Sequence, residues 1–128
     1  MGRIVVPVHI RNPFDAGREI LCDALVETGA SGLVLPAAWR DRLAPFLKSR
    51  TAKLETADQR VIDGEVCGPV EVQIEGFDSV FNEVTFVSSA PEDGGYEPLL
   101  GYILLEQSRA AVDLVGHRLL PVKTFDLK

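Results

Sequence analysis

One carboxylate in the sequence stands where an apolar strand meets a tight turn. Apolar residues 24–26 lead into Glu27, the turn Thr28-Gly29-Ala30-Ser31-Gly32 follows, and a second apolar run begins at Leu33. This order places Glu27 where the chain leaves the core, and the two glycines of the turn allow backbone angles and close approaches that other residues exclude. A carboxylate at such a position can act as a general acid or base. Considered alone, the stretch also fits an exposed loop carboxylate with no chemical role.

The elements that must position this turn are short and mostly extended. The patterns predict strands over residues 4–10, 19–27, 32–35, 50–57, 61–74, 77–87, 111–114 and 118–122, and short helices over 36–43 and 102–110. Pro7 predicts an edge position at that point of the first strand, because proline lacks the N–H that a ladder needs. Gly64, Gly68 and Pro69 predict bends or a bulge in the 61–74 strand. Many short strands with few helices indicate an all-β, mostly antiparallel barrel or sandwich.

The composition is that of an ordinary globular protein. The chain has 128 residues, 46% hydrophobic and 25% charged, and no linker or low-complexity run divides it, which predicts one domain over residues 1–128. The net charge of −6 gives no basic field for phosphates, so nucleic acid is not expected as a partner. No apolar run approaches the roughly 20 residues of a membrane span, and the N-terminus lacks the features of a signal peptide. We therefore expect a cytoplasmic protein without a membrane partner.

The cysteines and histidines give no sign of a metal or a cofactor. Cys22 and Cys67 are too few for a disulfide framework, and two reduced, buried thiols are favoured over a bridge between them. His9 and His117 lie near no spacing that is typical of metal ligands. We expect no cofactor and no metal, and we expect Asp113 to have a structural role near the final turn.

The sequence resembles the retropepsin-like aspartic peptidases at three landmarks, which occur in the family's order. The first is Glu27-Thr28-Gly29-Ala30 after two apolar residues, where the family has Asp-Thr/Ser-Gly-Ala. The second is a flap hairpin, matched by residues 52–66 with the polar tip Asp58-Gln59-Arg60. The third is two apolar residues and a glycine before a short helix, matched by Leu99-Leu100-Gly101. An apolar-Asp strand and a terminal hairpin follow from residue 111, as in bacterial members, so the resemblance covers nearly the whole chain.

This resemblance implies a retropepsin-like closed β-barrel with a flap hairpin and one or two short helices. It also implies a hydrolase, an aspartic endopeptidase in which two carboxylates share one proton and activate a water molecule between them. The chain contains one carboxylate-Thr-Gly motif, and a twofold-symmetric partner must therefore supply the second Glu27. We expect a homodimer that acts on a peptide or protein substrate.

The resemblance also assigns roles to the residues around the carboxylate. Glu27 is the catalytic group, and the Thr28 hydroxyl is expected to hydrogen-bond across the dimer axis. Gly29 lets the two loops meet and can donate its N–H to the carboxylate. Substrate binding is assigned to Ala30, Ser31, Asp58, Gln59 and Arg60.

The sequence departs from the family's pattern at the position that matters most. The catalytic position holds Glu27, whose side chain exceeds that of Asp by one C–C bond, about 1.5 Å. A displacement near 1 Å can reduce a rate on the order of a hundredfold. Tyr102 stands where viral members often have Arg, and the flap tip lacks their glycines. We therefore expect impaired peptidase activity.

Two other functions compete with the peptidase interpretation. The first alternative is a catalytically inactive retropepsin-like dimer that binds an extended peptide or serves as a scaffold. The second is a small β-barrel binding module unrelated to peptidases. Fold alone does not choose among the three, because function depends on the site.

Overall fold

The computed structural model of the protein describes residues 2–55, 59–88 and 97–123. Within them the strands are β1 (Val5–Arg11), β2 (Glu19–Val26), β3 (Leu33–Pro36), β4 (Lys48–Glu55), β5 (Val61–Ile74), β6 (Val80–Val87), β7 (Leu99–Leu100), β8 (Ala110–Asp113) and β9 (Arg118–Pro121). The helices are a 3-10 turn (Ala37–Trp39) that continues into α1 (Arg40–Leu43), and α2 (Tyr102–Gln107). None of the helices in these ranges is long and apolar enough to cross a membrane.

Six of these strands form a closed ring. Their order is β1-β2-β7-β3-β6-β5, and β5 returns to pair with β1. The β2–β7 and β3–β6 pairs are parallel, whereas the other pairs of this sheet are antiparallel. β4 is paired to β5, and β8 and β9 form a separate antiparallel hairpin. The architecture confirms the predicted all-β fold with short helices.

The hydrophobic core fills the inside of this ring. Alternate side chains of each strand point into it, as the two-residue period of a pleated strand requires. The buried residues that form it are Ile4, Val8, Ile10, Ile20, Ala24, Val26, Leu33, Leu35, Leu43, Cys67, Val70, Val72, Ile74, Val84, Phe86, Leu100, Leu104 and Leu105. Burying one large aliphatic side chain contributes about 1.5–3 kcal/mol relative to leaving it exposed. Val26 is the last residue of β2 and is buried, so the chain leaves the core at the residue that follows it.

The long hairpin of β4 and β5 extends beyond the ring. Its arms pair continuously from Lys48 with Gly68 to Glu55 with Val61. The pairing of β5 with β6 begins only at Gly64, so residues 61–63 of β5 pair with β4 alone. The predicted hairpin is therefore present, and among the described residues, 61–63 of β5 have strand partners in β4 but none in β6.

The irregularity predicted in β5 occurs at one of the two expected places. The β5–β6 register shifts around Gly68 and Pro69, which confirms a bulge there. Gly64 lies within the strand, and the prediction of a bend at this residue is wrong. A Cβ atom at Gly64 would lie 3.0 Å from Cδ1 of Leu54 and 3.3 Å from the carbonyl oxygen of Phe86. Close packing, not a turn, therefore favours glycine at this position.

The edge position predicted at Pro7 holds at that residue, but the rest of β1 is not an edge strand. β1 pairs with β2 along its whole length and with β5 from Val8 to Arg11. Pro7 precedes the first residue pair with β5, and its carbonyl oxygen accepts a hydrogen bond from the N–H of Glu75 at 3.0 Å. Pro7 therefore lies at a point where β1 has a paired residue in β2 but none in β5.

Candidate active site

Glu27 lies directly after β2, at the start of a tight turn. Its N–H donates to the carbonyl oxygen of Leu100 at 3.0 Å, which continues the β2–β7 ladder by one more hydrogen bond. Its own carbonyl oxygen accepts a hydrogen bond from the N–H of Ala30 at 3.1 Å, which closes the turn. Glu27 is half-buried, while Thr28 and Gly29 are exposed. The backbone of the carboxylate residue is thus fixed, and the residues next to it face outward.

The Glu27 carboxylate folds back onto its own turn. The N–H of Gly29 donates a hydrogen bond to Oε1 of Glu27 at 2.9 Å. A Cβ atom at Gly29 would lie 3.0 Å from the same oxygen, so a side chain there would crowd the carboxylate. A hydrogen bond from a backbone N–H to an ionised carboxylate is stronger than one between neutral groups. The extra methylene of Glu is therefore accommodated within the turn, and the carboxylate keeps a fixed position relative to the backbone.

The turn is locked onto the segment that follows β7. The N–H of Gly101 donates to the carbonyl oxygen of Gly32 at 3.0 Å, that of Tyr102 to Ala30 at 2.9 Å, and that of Ile103 to Ser31 at 2.9 Å. A Cβ atom at Gly101 would lie 2.6 Å from both the Ala30 carbonyl oxygen and the Gly32 nitrogen. Since real Cβ contacts are not this short, only glycine fits. The first and third sequence landmarks therefore form one site.

The structure places the other predicted site residues in two groups. Ala30 and Ser31 lie in the turn with Glu27. Gln59 and Arg60 are exposed and lie at the open end of the β4–β5 hairpin, where Gln59 has a φ of 65°. Asp58 lies outside the described residues. On the described side of this hairpin that faces the ring, Leu54 and Ile62 form a directly opposed, half-buried apolar pair.

Two arginine–glutamate pairs at the base of this hairpin were not predicted from the sequence. The guanidinium of Arg40 donates to Glu65 through Nε to Oε1 at 2.5 Å and through Nη2 to Oε2 at 3.3 Å. Arg50 donates to Glu83 through Nη1 to Oε2 at 2.9 Å and through Nη2 to Oε1 at 3.1 Å. These hydrogen bonds lower the pKa of Glu65 and the pKa of Glu83 below the ordinary Glu range. The partners are 25 and 33 residues apart, so no local pattern reveals the pairs.

Cys67 is buried as expected, whereas Cys22 is only half-buried, and the final turn has the structural carboxylate expected there. Cys22 and Cys67 are free, and burial raises the pKa of both thiols. Among the described residues, no cluster of three or more His, Cys, Asp or Glu side chains could hold a metal ion. Asp113 accepts hydrogen bonds from the N–H groups of Val115 and Gly116 and from Arg118, and these bonds lower the pKa of its carboxyl group. Asp113 is therefore a structural residue of the β8–β9 turn.

The fold is similar to that of a solved retroviral protease. EIAV protease in complex with the inhibitor HBY-793 matches with a TM-score of 0.59 over 83% of this chain and 88% of that chain. This chain has a retropepsin-like fold. The two sequences are 18% identical, so the similarity concerns the fold. No protein-family model and no curated protein matches the sequence. The fold alone does not establish the function of this chain.

Proposed function

We propose that the protein is an aspartic endopeptidase whose active site contains two Glu27 carboxylates, one from each subunit of a homodimer. The observation that carries the proposal is the position of this carboxylate. It follows β2 directly, accepts a hydrogen bond from Gly29 at 2.9 Å, and lies in a turn that is locked onto Gly101 within a retropepsin-like fold. Acid–base chemistry needs a carboxylate that is held in place and still accessible, and half-buried Glu27 meets both conditions.

The proposed reaction uses the two carboxyl groups in different protonation states. Two carboxylates about 3 Å apart cannot both ionise, so the pair retains one proton. The ionised member takes a proton from a water molecule, whose oxygen attacks the carbonyl carbon of the peptide bond. The protonated member stabilises the carbonyl oxygen during the attack, and a proton passes to the leaving amine as the C–N bond breaks. Oε2 of Glu27 has no hydrogen-bond partner among the described residues, so one oxygen of each carboxylate is free to face the water.

The surface next to the turn supports assembly into a dimer. Thr28 and Gly29 are exposed, and the first residues of α2, Tyr102 and Ile103, expose 44% and 39% of their area. The backbone N–H groups of Tyr102 and Ile103 donate hydrogen bonds to the carbonyl oxygens of Ala30 and Ser31 in the Glu27 turn. Large apolar side chains that cluster at an exposed surface are typical of an interaction site. A second subunit that covers this surface would bring its own Glu27 turn to the first.

The hairpin of β4 and β5 is the proposed flap over a peptide substrate. Leu54 and Ile62, which form a half-buried pair on one face of the hairpin, would contact an extended peptide. Ala30 and Ser31 would bind the peptide from the opposite side. The tip residues Asp58, Gln59 and Arg60 are the remaining proposed substrate contacts.

A cytoplasmic location and the organisation of residues 1–128 as one domain stay predictions.

The alternative function is a catalytically inactive dimer that binds peptides or serves as a scaffold. The observation that favours it is the catalytic position itself, where Glu replaces the Asp of the resembled family. Under this alternative the flap and the turn would still bind an extended peptide, but no water would be activated. The two functions share the fold and differ only in the chemistry at Glu27.

Hydrolysis of a mixed peptide library distinguishes the two functions. We expect the wild-type protein to cleave peptides at acid pH and Glu27→Ala to lose this activity to the level of the buffer. Both proteins must show the same folded signal by circular dichroism, so that a loss of activity reports on the carboxylate. No cleavage by either protein, with retained peptide binding, would support the scaffold function instead.

A further inference from the structure

The outer face of β1 carries an open groove at the point where the pairing of β1 with β5 stops. This pairing extends from Arg11 to Val8 and does not include Pro7. β5 ends at Ile74, and the chain turns at Gly76, where φ is 89°. The groove has a volume of about 270 Å³, and every residue that lines it belongs to the described part of the chain.

The floor and one wall of this groove are apolar. Pro7 is exposed at the floor. Leu21 of β2 is paired directly with His9 of β1, and it exposes 71% of its area along the wall. A single exposed leucine is common on protein surfaces, but Leu21 lines a cavity next to a second apolar residue. The groove therefore has room for an apolar side chain that would cover Leu21.

His9, which also lines the groove, is held from two sides. Its Nδ1 lies 2.7 Å from Nη1 of Arg11, and its Nε2 lies 2.9 Å from Oε2 of Glu19. A guanidinium only donates, so Nδ1 accepts and the ring proton is on Nε2, which donates to Glu19. Arg11 also donates to Oε1 of Glu71 at 2.8 Å. Glu19 and Glu71 thus have partners within the protein, and this wall is formed in advance of any ligand.

Two other carboxylates beside the groove are not used in this way. Asp23 is paired in register with Pro7, and Glu75 lies on the other side of Pro7, where its N–H donates to the Pro7 carbonyl oxygen at 3.0 Å. Both are exposed, and neither forms an ion pair with a described residue. Neighbouring strands are about 4.8 Å apart, so the backbones of Asp23 and Glu75 are roughly 10 Å apart. The apolar floor is therefore flanked by negative charge on both sides.

From this arrangement we propose that the groove binds an extended segment of a partner protein, in which an apolar residue lies between two basic ones in the pattern basic-x-apolar-x-basic. Alternate residues of an extended chain point to the same side, so all three side chains can face the groove. The apolar side chain would pack on Leu21 and Pro7. The basic side chains, which are long and flexible, would reach Asp23 and Glu75.

A second copy of this chain fits the groove less well than a basic partner. Two copies that meet through this face around a twofold axis would bring Asp23 and Glu75 of one copy close to the same carboxylates of the other. Like charges that face each other across an interface oppose binding. The net charge of −6 adds to this repulsion.

The groove is separate from the candidate active site. Leu21 and Glu27 are six residues apart along β2, which corresponds to roughly 20 Å in an extended strand. A segment bound at Leu21 therefore leaves the Glu27 turn open. The proposal does not depend on peptidase activity, and it holds equally for the scaffold function.

An NMR titration with a short peptide tests the proposal without any catalysis. The probe is a peptide of sequence lysine-serine-leucine-serine-lysine with blocked ends, added to the isotope-labelled protein at neutral pH and low salt. We expect saturable shift changes at the amides of Val8, His9, Leu21, Gln73 and Glu75. No saturable change at these amides would overturn the proposal. Larger changes in the Glu27 turn than in the groove would overturn it as well.

Two altered peptides test the pattern itself. Replacement of the leucine by serine should weaken binding on the order of tenfold, because less apolar surface is buried. Replacement of both lysines by glutamate should abolish saturable binding, because the groove is flanked by carboxylates. Equal binding of the serine peptide would indicate adsorption to an acidic surface, and equal binding of the glutamate peptide would remove the charge match. Either result would overturn the proposal.

The chain offers matched control variants. Leu21→Ser should weaken binding of the lysine peptide on the order of tenfold, whereas Phe14→Ser should not, although Phe14 is 68% exposed and Leu21 is 71% exposed. Glu75→Lys should weaken binding more than Glu106→Lys, which changes the net charge equally at an exposed residue of α2. All four positions are exposed, so circular dichroism should show an unchanged fold. Equal effects within either pair would overturn the proposal.

The choice of partner is tested in the absence of peptide. We expect the groove amides to keep the same shifts when the protein is diluted. Shifts that depend on protein concentration would show that a second copy covers the groove, and this would overturn the proposed partner. A wild-type protein that is inert in the peptidase assay would contradict the proposed function, whereas the titration would still decide on the groove.

Discussion

The N–H of Gly29 donates a hydrogen bond of 2.9 Å to Oε1 of Glu27, so the catalytic candidate is held by the backbone of its own turn. This bond limits how far the longer side chain of Glu can extend toward a partner subunit. It also fixes which carboxylate oxygen faces the turn and which one remains available. In the proposed dimer, the extra length of Glu would still have to be absorbed by bending of the side chain, and this would change the angle at which the two carboxylates meet.

Shortening the side chain should therefore raise activity. We expect Glu27→Asp to increase kcat/KM for peptide hydrolysis by about tenfold, because the two carboxylates would then leave more room for the shared water. For both proteins the rate should fall as the pH rises from the acid side, since one carboxyl of the pair must stay protonated. Steady-state assays across the acid range measure both effects. A wild-type protein more active than the Asp form would show that the turn is adapted to Glu.

The contact between Gly101 and the active-site turn leads to a prediction about stability. Gly101→Ala should lower the free energy of unfolding by on the order of 3 kcal/mol, because the added Cβ would meet backbone atoms that cannot move aside. Gly32→Ala is the control in the same turn, since a Cβ atom there meets no other atom within 4 Å. Urea unfolding of the two variants measures the difference. Similar values for both would contradict the packing argument.

A second stability prediction concerns Asn12, which is 4% exposed. Its Nδ2 donates to the carbonyl oxygens of Leu43 and Pro45, both at 2.7 Å, and its Oδ1 accepts the N–H of Phe14 at 2.8 Å. Asn12→Ala leaves these buried groups without partners and should cost about 2–3 kcal/mol of stability. Chemical denaturation checks the value, with Asn82→Ala as a more exposed control. An equal, small effect of both substitutions would show that water replaces the lost bonds at Asn12.

The lowered pKa of Glu65 predicts a pH dependence. A carboxyl group whose pKa is lower in the folded state stabilises the fold fully above the ordinary pKa, which for Glu is 4.5. The hydrogen bond from Arg40 is the main cause of the lower value, and its contribution is lost as the pH falls from there through the folded-state pKa. Thermal unfolding should therefore show wild type more stable than Glu65→Gln near neutral pH, with the difference shrinking at acid pH. A difference that is constant across this range would contradict the assignment.

Local patterns in the sequence were enough to predict most of the fold and the turn that contains the candidate site. The short β-branched run at residues 4–10 locates β1, the alternation over residues 77–87 locates β6, and Gly29 and Gly101 mark the turn and its close contact. The hydrogen bond expected from the Gly29 N–H is present. What the sequence did not reveal depends on contacts between distant segments. Gly64 leaves room for the side chain of Leu54, and in the sequence this reason cannot be distinguished from a bend.

The ion pairs at the base of the hairpin were hidden for the same reason. Arg40 and Glu65 belong to different predicted elements, and charged residues in short strands and helices usually indicate a solvated face. Pro7 lies just before the point where β1 begins to pair with β5, at Val8. The prediction from proline thus holds for that residue.

The most direct test of the shared active site is a subunit-mixing experiment. Wild type and Glu27→Ala are combined in equal amounts, allowed to exchange subunits, and assayed for peptide hydrolysis at constant total protein. If each site needs one Glu27 from each subunit, only dimers of two wild-type chains are active, and the rate falls to about one quarter of the wild-type rate. A rate of about one half would mean that each chain works independently, and this result would contradict an active site that is assembled across a homodimer.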